Sequence, residues 1–585
     1  MDTRFVTRRR ALQTALAGSA AAGASACTTA PKLTPFTALS APGNEVFAHG
    51  VASGDPAATS VVLWSRINPD VLGAKATGIL TCEWEVASDN EFTSIVASGI
   101  AATGAARDWT VKVIADGLTP GQRYAYRFRH RGATSATGRT MTLPEGAVDQ
   151  ARFAVVSCSN YPFGYFNVYD QIARRDDLNA VIHLGDYLYE YGDDGYGSEA
   201  GAQLGRIHSP THEIVSLKDY RERHAQYKAD PSSQAMHQAH AFIAIWDDHE
   251  TTNNSWKDGA QNHQPETEGN WTARRRAALQ AYYEWMPVRE PAPGGMREGL
   301  FRSYGFGDLL TLTALETRLM ARAQQFEYSE VVPTLKTEAD IAKFRDEILW
   351  DPSREMLGRD QIDFVSASLA QGAAARQPWQ LIANQIIMAE VLAPNISPYV
   401  EEEDLIELEK QWDQARAFVE FSKLGLPTNL DAWDGYPAAR DRFYDLVKAA
   451  NTEGLVVLTG DTHTWWANDL TDRNGSAMGV ELGVSSVTSP SPYRTEFLGG
   501  KGAEYALLTN RENDTVRYVS GEAHGFIDLD VTNSEINASF QAVDSITSGD
   551  YNAFRKAAFR IAKDDRGTAR FKGSKGLSFK EGWLF

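Results

Sequence analysis

Cysteine is scarce. The 585 residues contain three, Cys27, Cys82 and Cys158, too few for a disulfide scaffold. The fold must therefore rest on an apolar core, and each cysteine has to be explained alone. Positive charge is also short: 57 Lys and Arg stand against 76 Asp and Glu, a formal net charge of −19. Such a chain is poorly suited to gripping nucleic acid without sequence preference. An anionic substrate would need a local positive centre, and bound metal ions are the simplest source of one. There is no internal repeat. What is present is ordinary for a folded protein, 43% apolar and 10% aromatic, and the length calls for two or more domains.

Residues 1–26 read as a leader. Thr7-Arg8-Arg9-Arg10 precedes an Ala-rich, weakly apolar run that is too short to hold a bilayer span. Paired arginines in that position look like a twin-arginine signal, which hands already folded protein to the translocation machinery. Cys27 follows Ala24-Ser25-Ala26. A lipid anchor normally has Leu three residues before the Cys, so plain cleavage is expected. Residues 27–45 read as a linker.

Residues 46–145 carry short strand patterns at 60–67, 81–87, 110–114 and 123–129, separated by Gly, Pro, Asn and Asp. Residues 117–128 look like the entry to a late strand of a fibronectin III-like sandwich, with Tyr124 as its corner tyrosine. Cys82 fits a small core residue. After Pro144-Glu145-Gly146 the pattern alternates strand and helix over residues 150–540, which marks an α/β domain. Residues 541–585, rich in Lys and Arg, read as a C-terminal tail.

Within the α/β part, apolar runs end in chemistry. Residues 152–157 stop at Cys158, and 180–185 at Asp186 with Tyr189 close behind. Residues 241–246 stop at Asp247-Asp248-His249-Glu250, and 309–315 at Glu316-Thr317-Arg318. The last two runs, 380–383 and 455–459, stop at Asn384-Gln385 and Gly460-Asp461-Thr462-His463. Open α/β sheets bind ligands at the carboxyl ends of their strands. Each residue has a bland reading: Asp186 as a helix N-cap, His463 as a satisfied core histidine, Cys158 as an inert buried thiol. A packed core does not need such groups at four tips together. Gathering Asp186, Asp248 and Asp461 without cations costs like-charge repulsion and desolvation, so the cluster implies metal.

Gly185-Asp186 with Tyr189, Trp246-Asp247-Asp248-His249-Glu250 with Asn253-Asn254, and Gly460-Asp461 with His463 resemble, in order, the PhoD-like alkaline phosphatase family of metallophosphoesterases. The resemblance extends to Gly50-Val51-Ala52-Ser53-Gly54-Asp55-Pro56 at the start of the sandwich. It implies a four-layer α/β/β/α core with two metals, preceded by the sandwich. Cys158, Asp186, Tyr189 and His463 would hold one ion. A thiolate with a phenolate disfavours Ca²⁺ and suits Fe³⁺. Asp186 would be shared with a second ion held by Asp248, Asp461 and an amide of Asn253 or Asn254, an all-oxygen set suited to Ca²⁺. Asp248 is preferred to Asp247 because it directly precedes His-Glu. His249 either protonates the leaving oxygen or orients Asp248. Arg318 and Asn384 either bind phosphate or make structural bonds.

The function implied is a secreted alkaline phosphatase and phosphodiesterase that works by metal-activated hydroxide attack and supplies phosphate from mono- and diesters. The alternatives are a phospholipase D-like diesterase acting on phospholipid or cell-wall polymer, and a polymer-binding protein with a vestigial site.

Overall fold

A computed structural model describes residues 45–573 except 77, 413, 495 and 496. The expected leader, Cys27, the linker up to residue 44 and the last residues of the expected tail lie outside the described residues.

The strand tips are set by two mixed sheets. At the centre of the first run three parallel strands, Gln150–Val156, Ala180–His183 and Ala241–Ala244. The second has Arg302–Phe306 antiparallel at one edge, then Leu310–Ala314, Trp379–Ala383, Leu455–Thr459 and Ala477–Gly483 in parallel. Trp465–Thr471 and Val516–Ser520 complete it antiparallel. The parallel strands are almost wholly apolar because both of their faces are covered.

Alternate side chains point to opposite faces of a strand, and that alternation divides the core. Phe153, Val155, Ile182 and Ile243 share one buried cluster with Leu310, Leu312, Leu381 and Val456 of the other sheet. Ala154, Val156, Val181 and Phe242 turn the other way, onto Val168, Tyr169 and Ile172 of the helix Asn167–Ala173. On the second sheet Ile382 and Val457 pack against Leu369 of helix Arg359–Ala374 and Phe443 of helix Pro437–Ala450. Each such fully buried aliphatic or Phe side chain contributes about 1.5–3 kcal/mol.

The N-terminal part does not stand apart from this core. Val51–Gly54, Val61–Arg66 and Thr110–Ala115 extend the first sheet, with Ser53 opposite Ala241 in parallel register. Leu80–Ala87, Ile95–Thr103, Arg123–His130, Ala133–Thr134 and Gly138–Met141 form a separate five-stranded sheet. Val61, Leu63 and Val111 of the one meet Cys82, Val86, Tyr126 and Phe128 of the other in a shared core. The Tyr124 hydroxyl accepts from the Thr119 amide at 2.9 Å.

The stretch from residue 541, expected as a tail, is sheet as far as Phe571. His524–Thr532 pairs antiparallel with Gln150–Val156, and Glu535–Val543, Ala553–Lys563 and Ala569–Phe571 follow in order. Aromatic anchors explain this in spite of the basic composition. Phe540 stacks on Trp465 at 4.8 Å, and Phe559 meets Phe540 at 5.1 Å and Phe571 at 5.5 Å. Among the described residues no helix is long and apolar enough to cross a membrane.

A candidate metal centre at the strand tips

Parallel strands send all their carboxyl ends to one edge, and the chain must turn sharply there. Cys158, Asp186, Asn254, Asp461 and His463 all have positive φ, between 50° and 63°. Non-glycine residues avoid that region, and strain of this kind gathers at functional sites. Two glycines let the tips close up. A Cβ on Gly185 would lie 2.4 Å from the Asp247 amide nitrogen, and one on Gly460 would lie 2.3 Å from Ser157 Oγ.

Three groups of buried donors result. Cys158, Asp186 and His463 form one, Asp186, Asp248 and His249 the next, and Asp247, Asp248 and Asp461 the third, with donor atoms within 4.8 Å inside each group. Asp186 belongs to two of them. Tyr189 joins the first: its hydroxyl donates to Asp186 Oδ2 at 3.0 Å and lies 3.2 Å from His463 Nε2. His463 Nδ1 faces the Pro490 carbonyl at 3.0 Å, which turns Nε2 toward the cluster and fixes the tautomer. Asp247 and Asp248 both reach Asp461.

Arg318 lies inside this cluster and is fully buried. Its Nε donates to Asp247 Oδ1 at 2.5 Å, and Nη1 contacts both oxygens of Asp431 at 2.8 and 2.9 Å. Nη2 lies 3.6 Å from Asp461 and 3.9 Å from Asp248, beyond hydrogen-bond reach. Asn384 is used differently. Its side chain donates to the Ile386 carbonyl and accepts from Trp433 Nε1 at 3.2 Å, so its contacts hold its own loop. Asn253 donates to Gln261 Oε1 at 2.9 Å, while Asn254 gives its backbone N–H to Asp248 Oδ2 at 2.6 Å.

Sequence reasoning gave no role to four residues that hold the cluster in shape. Glu250 accepts the backbone amides of Asp186, Tyr187 and Asp247. Glu190 Oε2 holds His249 Nδ1 at 2.7 Å, and its Oε1 accepts from the Asn253 amide at 2.9 Å and Asn262 Nδ2 at 2.8 Å. Ser489 donates to the Tyr189 hydroxyl at 2.8 Å. Asp431 anchors Arg318. Glu250 stands inside a motif quoted above and Glu190 directly follows Tyr189; the available signal was an acidic residue set among apolar and aromatic ones.

Burial, with Asp186 adding to it, raises the Cys158 and Tyr189 protons well above their ordinary range. Burial likewise raises Asp186; nearby His249 opposes this, while Asp248, Asp247 and Glu250 add to it. His249 is lowered by burial, but Asp248, Glu190 and Asp186 outweigh that and lift it to about 10.

A metal fits these residues. Asp186 Oδ1, Asp247 Oδ2 and the Asn253 amide oxygen are buried acceptors without a hydrogen-bond partner. Orphaned acceptors of that kind are rare, and a thiol, a phenol, two imidazoles and four carboxylates converge there.

Comparison with known proteins identifies the family. Residues 153–540 match the PhoD-like phosphatase family, and residues 33–144 match the N-terminal domain of PhoD-like phosphatases. The chain is 34% identical over 537 residues to alkaline phosphatase D of Bacillus subtilis (strain 168), covering 89% of this chain and 82% of that one. A solved structure of PhoD superposes with a TM-score of 0.71 at 29% identity, over 94% of this chain and 95% of that one. This chain accordingly belongs to the PhoD-like phosphatase family and is a phosphoric ester hydrolase.

Proposed function

We propose that the strand tips hold two different cations and that the protein is an exported alkaline phosphatase and phosphodiesterase. Fe³⁺ is assigned to Cys158, Asp186, Tyr189 and His463. Ca²⁺ is assigned to Asp186, Asp248 and Asp461 with an amide oxygen of Asn253 or Asn254; the orphaned oxygen of Asn253 supports the former. The membership of Asp186 in two donor groups carries this reading, since one carboxylate within reach of both donor sets would let two neighbouring cations be held side by side. When bound, such a pair supplies Lewis acidity and activates water near neutral pH.

The chain's own residues supply the remaining elements. With Nδ1 committed to Glu190, His249 has Nε2 to offer the leaving oxygen. Tyr189 lies against the His249 ring at 4.1 Å and keeps it from swinging. Arg318 Nη2, without a hydrogen-bond partner, is the donor left for a phosphoryl oxygen. Asn384 is assigned to the loop rather than to phosphate.

The core over residues 150–540 is read as four layers, α/β/β/α, with helices outside each sheet; residues 46–145 are read as a fibronectin III-like sandwich. The arginine pair at Arg8 and Arg9 supports twin-arginine export of the folded protein, and phosphate acquisition from external esters is the role that fits export.

The test is elemental analysis of exported protein together with rates on matched phosphate mono- and diesters. About one iron per chain, with calcium, and hydrolysis of both ester types is expected. Full activity in protein free of iron would sink the metal assignment. Activity confined to diesters would favour the dedicated diesterase.

A further inference from the structure

Residues 484–491 follow the strand Ala477–Gly483 and are buried throughout. Five of these eight residues carry a hydroxyl, and the loop uses its hydroxyls and backbone to brace the first donor group. The Val487 amide donates to the Ser157 carbonyl at 3.0 Å, and the Thr488 amide reaches the Cys158 carbonyl at 3.4 Å. The Pro490 carbonyl faces His463 Nδ1 at 3.0 Å. Ser489 Oγ lies 2.8 Å from the Tyr189 hydroxyl. Cys158, Tyr189 and His463 are thus all held from one loop.

The bond from Ser489 differs from the others because it falls on a donor atom itself, the Tyr189 phenol oxygen. Ser489 has one proton and two acceptors within reach, that oxygen at 2.8 Å and the Cys158 carbonyl at 3.3 Å. The first is at the ordinary length of an O–H···O bond and the second is beyond it. The backbone behind the hydroxyl is fixed as well. The Ser489 carbonyl accepts from Ser486 Oγ, which lies 2.9 Å from His524 Nδ1. The Tyr189 oxygen gives its own proton to Asp186 Oδ2 at 3.0 Å. Where a cation replaces that proton, the oxygen is an acceptor only, and the Ser489 hydroxyl is already aimed at it.

We propose that Ser489 is a positioning residue for the Tyr189 phenolate: its hydroxyl donates to the ligand oxygen and limits how much charge that oxygen gives to the cation of the first group. A hydrogen bond to an ionised oxygen is among the stronger ones, and partners just outside a ligand set tune the metal in this way. A weaker phenolate donor leaves more of the cation's charge for a phosphoryl oxygen. The inference rests on the assignment of Fe³⁺ to Cys158, Asp186, Tyr189 and His463, and adds the residue that adjusts that site.

The experiment is visible absorption of the exported enzyme, compared between variants at equal iron content. Ser489→Ala is expected to move the phenolate-to-iron band to longer wavelength, because a phenolate without its hydrogen bond gives up an electron more easily. Activity should fall about tenfold or more. Ser489→Thr, which keeps a hydroxyl, should return both the band and the activity toward wild type. A merely supporting role would lower the unfolding midpoint and leave the band of the folded, iron-bound protein in place. Resonance Raman of the wild type needs no variant and serves if Ser489→Ala does not fold: the Tyr189 C–O stretch should shift in heavy water. A Ser489→Ala band at the wild-type position, or a stretch that heavy water leaves unmoved, overturns the role of Ser489 and leaves the iron reading standing. A wild-type protein with iron but no such band overturns the Tyr189 ligand assignment, and this inference with it.

Discussion

Glu250 holds Asp186 by its backbone: Glu250 Oε2 accepts the Asp186 N–H at 3.1 Å. The same oxygen takes the Asp247 amide at 2.8 Å, and Oε1 takes the Tyr187 amide at 2.6 Å. One buried carboxylate thus ties together two strand tips that lie about sixty residues apart in the chain. Glu250→Gln would turn an amide N–H toward one of these donors. Activity should fall roughly 10–100-fold, as for residues that orient metal ligands, and stability by about 1–3 kcal/mol for the unsatisfied amide. Steady-state rates with metal content, and denaturant unfolding, measure the two effects; wild-type values for both would show that the tie is dispensable.

Cys158→Ser separates the two proposed cations. The thiol sits with Asp186 and His463 and outside the carboxylate group of Asp247, Asp248 and Asp461. Iron should be lost several-fold while calcium is retained. Elemental analysis of the exported variant checks this, and equal loss of both metals would contradict the partition.

Tyr189 should give the protein a colour. A phenolate on ferric iron absorbs in the visible, so concentrated wild-type protein should be violet or pink. Tyr189→Phe should be colourless, whereas Asp248→Asn should keep the band. A band of full strength in Tyr189→Phe would remove Tyr189 from the iron site.

Glu481, outside the three donor groups, offers a pH test. Its carboxylate accepts from the Met388 and Ala389 amides and Asn468 Nδ2. Burial nevertheless raises it to about 7. The folded value lies above the unfolded one, so its contribution to stability is full below about pH 4.5 and is lost as pH rises through about 7. The loss is on the order of 3 kcal/mol. Unfolding free energies of wild type and Glu481→Gln, measured across that window, should converge as pH rises, because the variant cannot ionise there. Parallel curves would refute the assignment.

Much of the site could be read in the chain because each tip joins an apolar run to a reactive residue: Val181-Ile182 before Asp186, Val457-Leu458 before Asp461. Local order carries that information. Asn384 ends its strand in the same way, yet it bonds Ile386 and Trp433, and only the contacts across the fold distinguish it from Asp186. Glu190 and Glu250 escaped for a related reason: their partners are largely backbone amides and groups of other loops, and such acceptors leave no residue pattern. The joining of Val51–Gly54 to Ala241–Ala244, and of His524–Thr532 to Gln150–Val156, depends on pairing across hundreds of residues, which hydrophobic alternation cannot register. Strand alternation in Ala553–Lys563 was hidden by its basic residues.

Those two joints place the three strands that end in Cys158, Asp186 and Asp247 between the earliest and the latest strands of the molecule. Until His524–Thr532 has left the ribosome, one edge of Gln150–Val156 is open and the cysteine loop is braced from the side of Gly185 and Asp186. Completion of the sheet edge that carries the donors therefore waits for His524–Thr532, so a chain released before that segment should be inert and prone to edge-to-edge association.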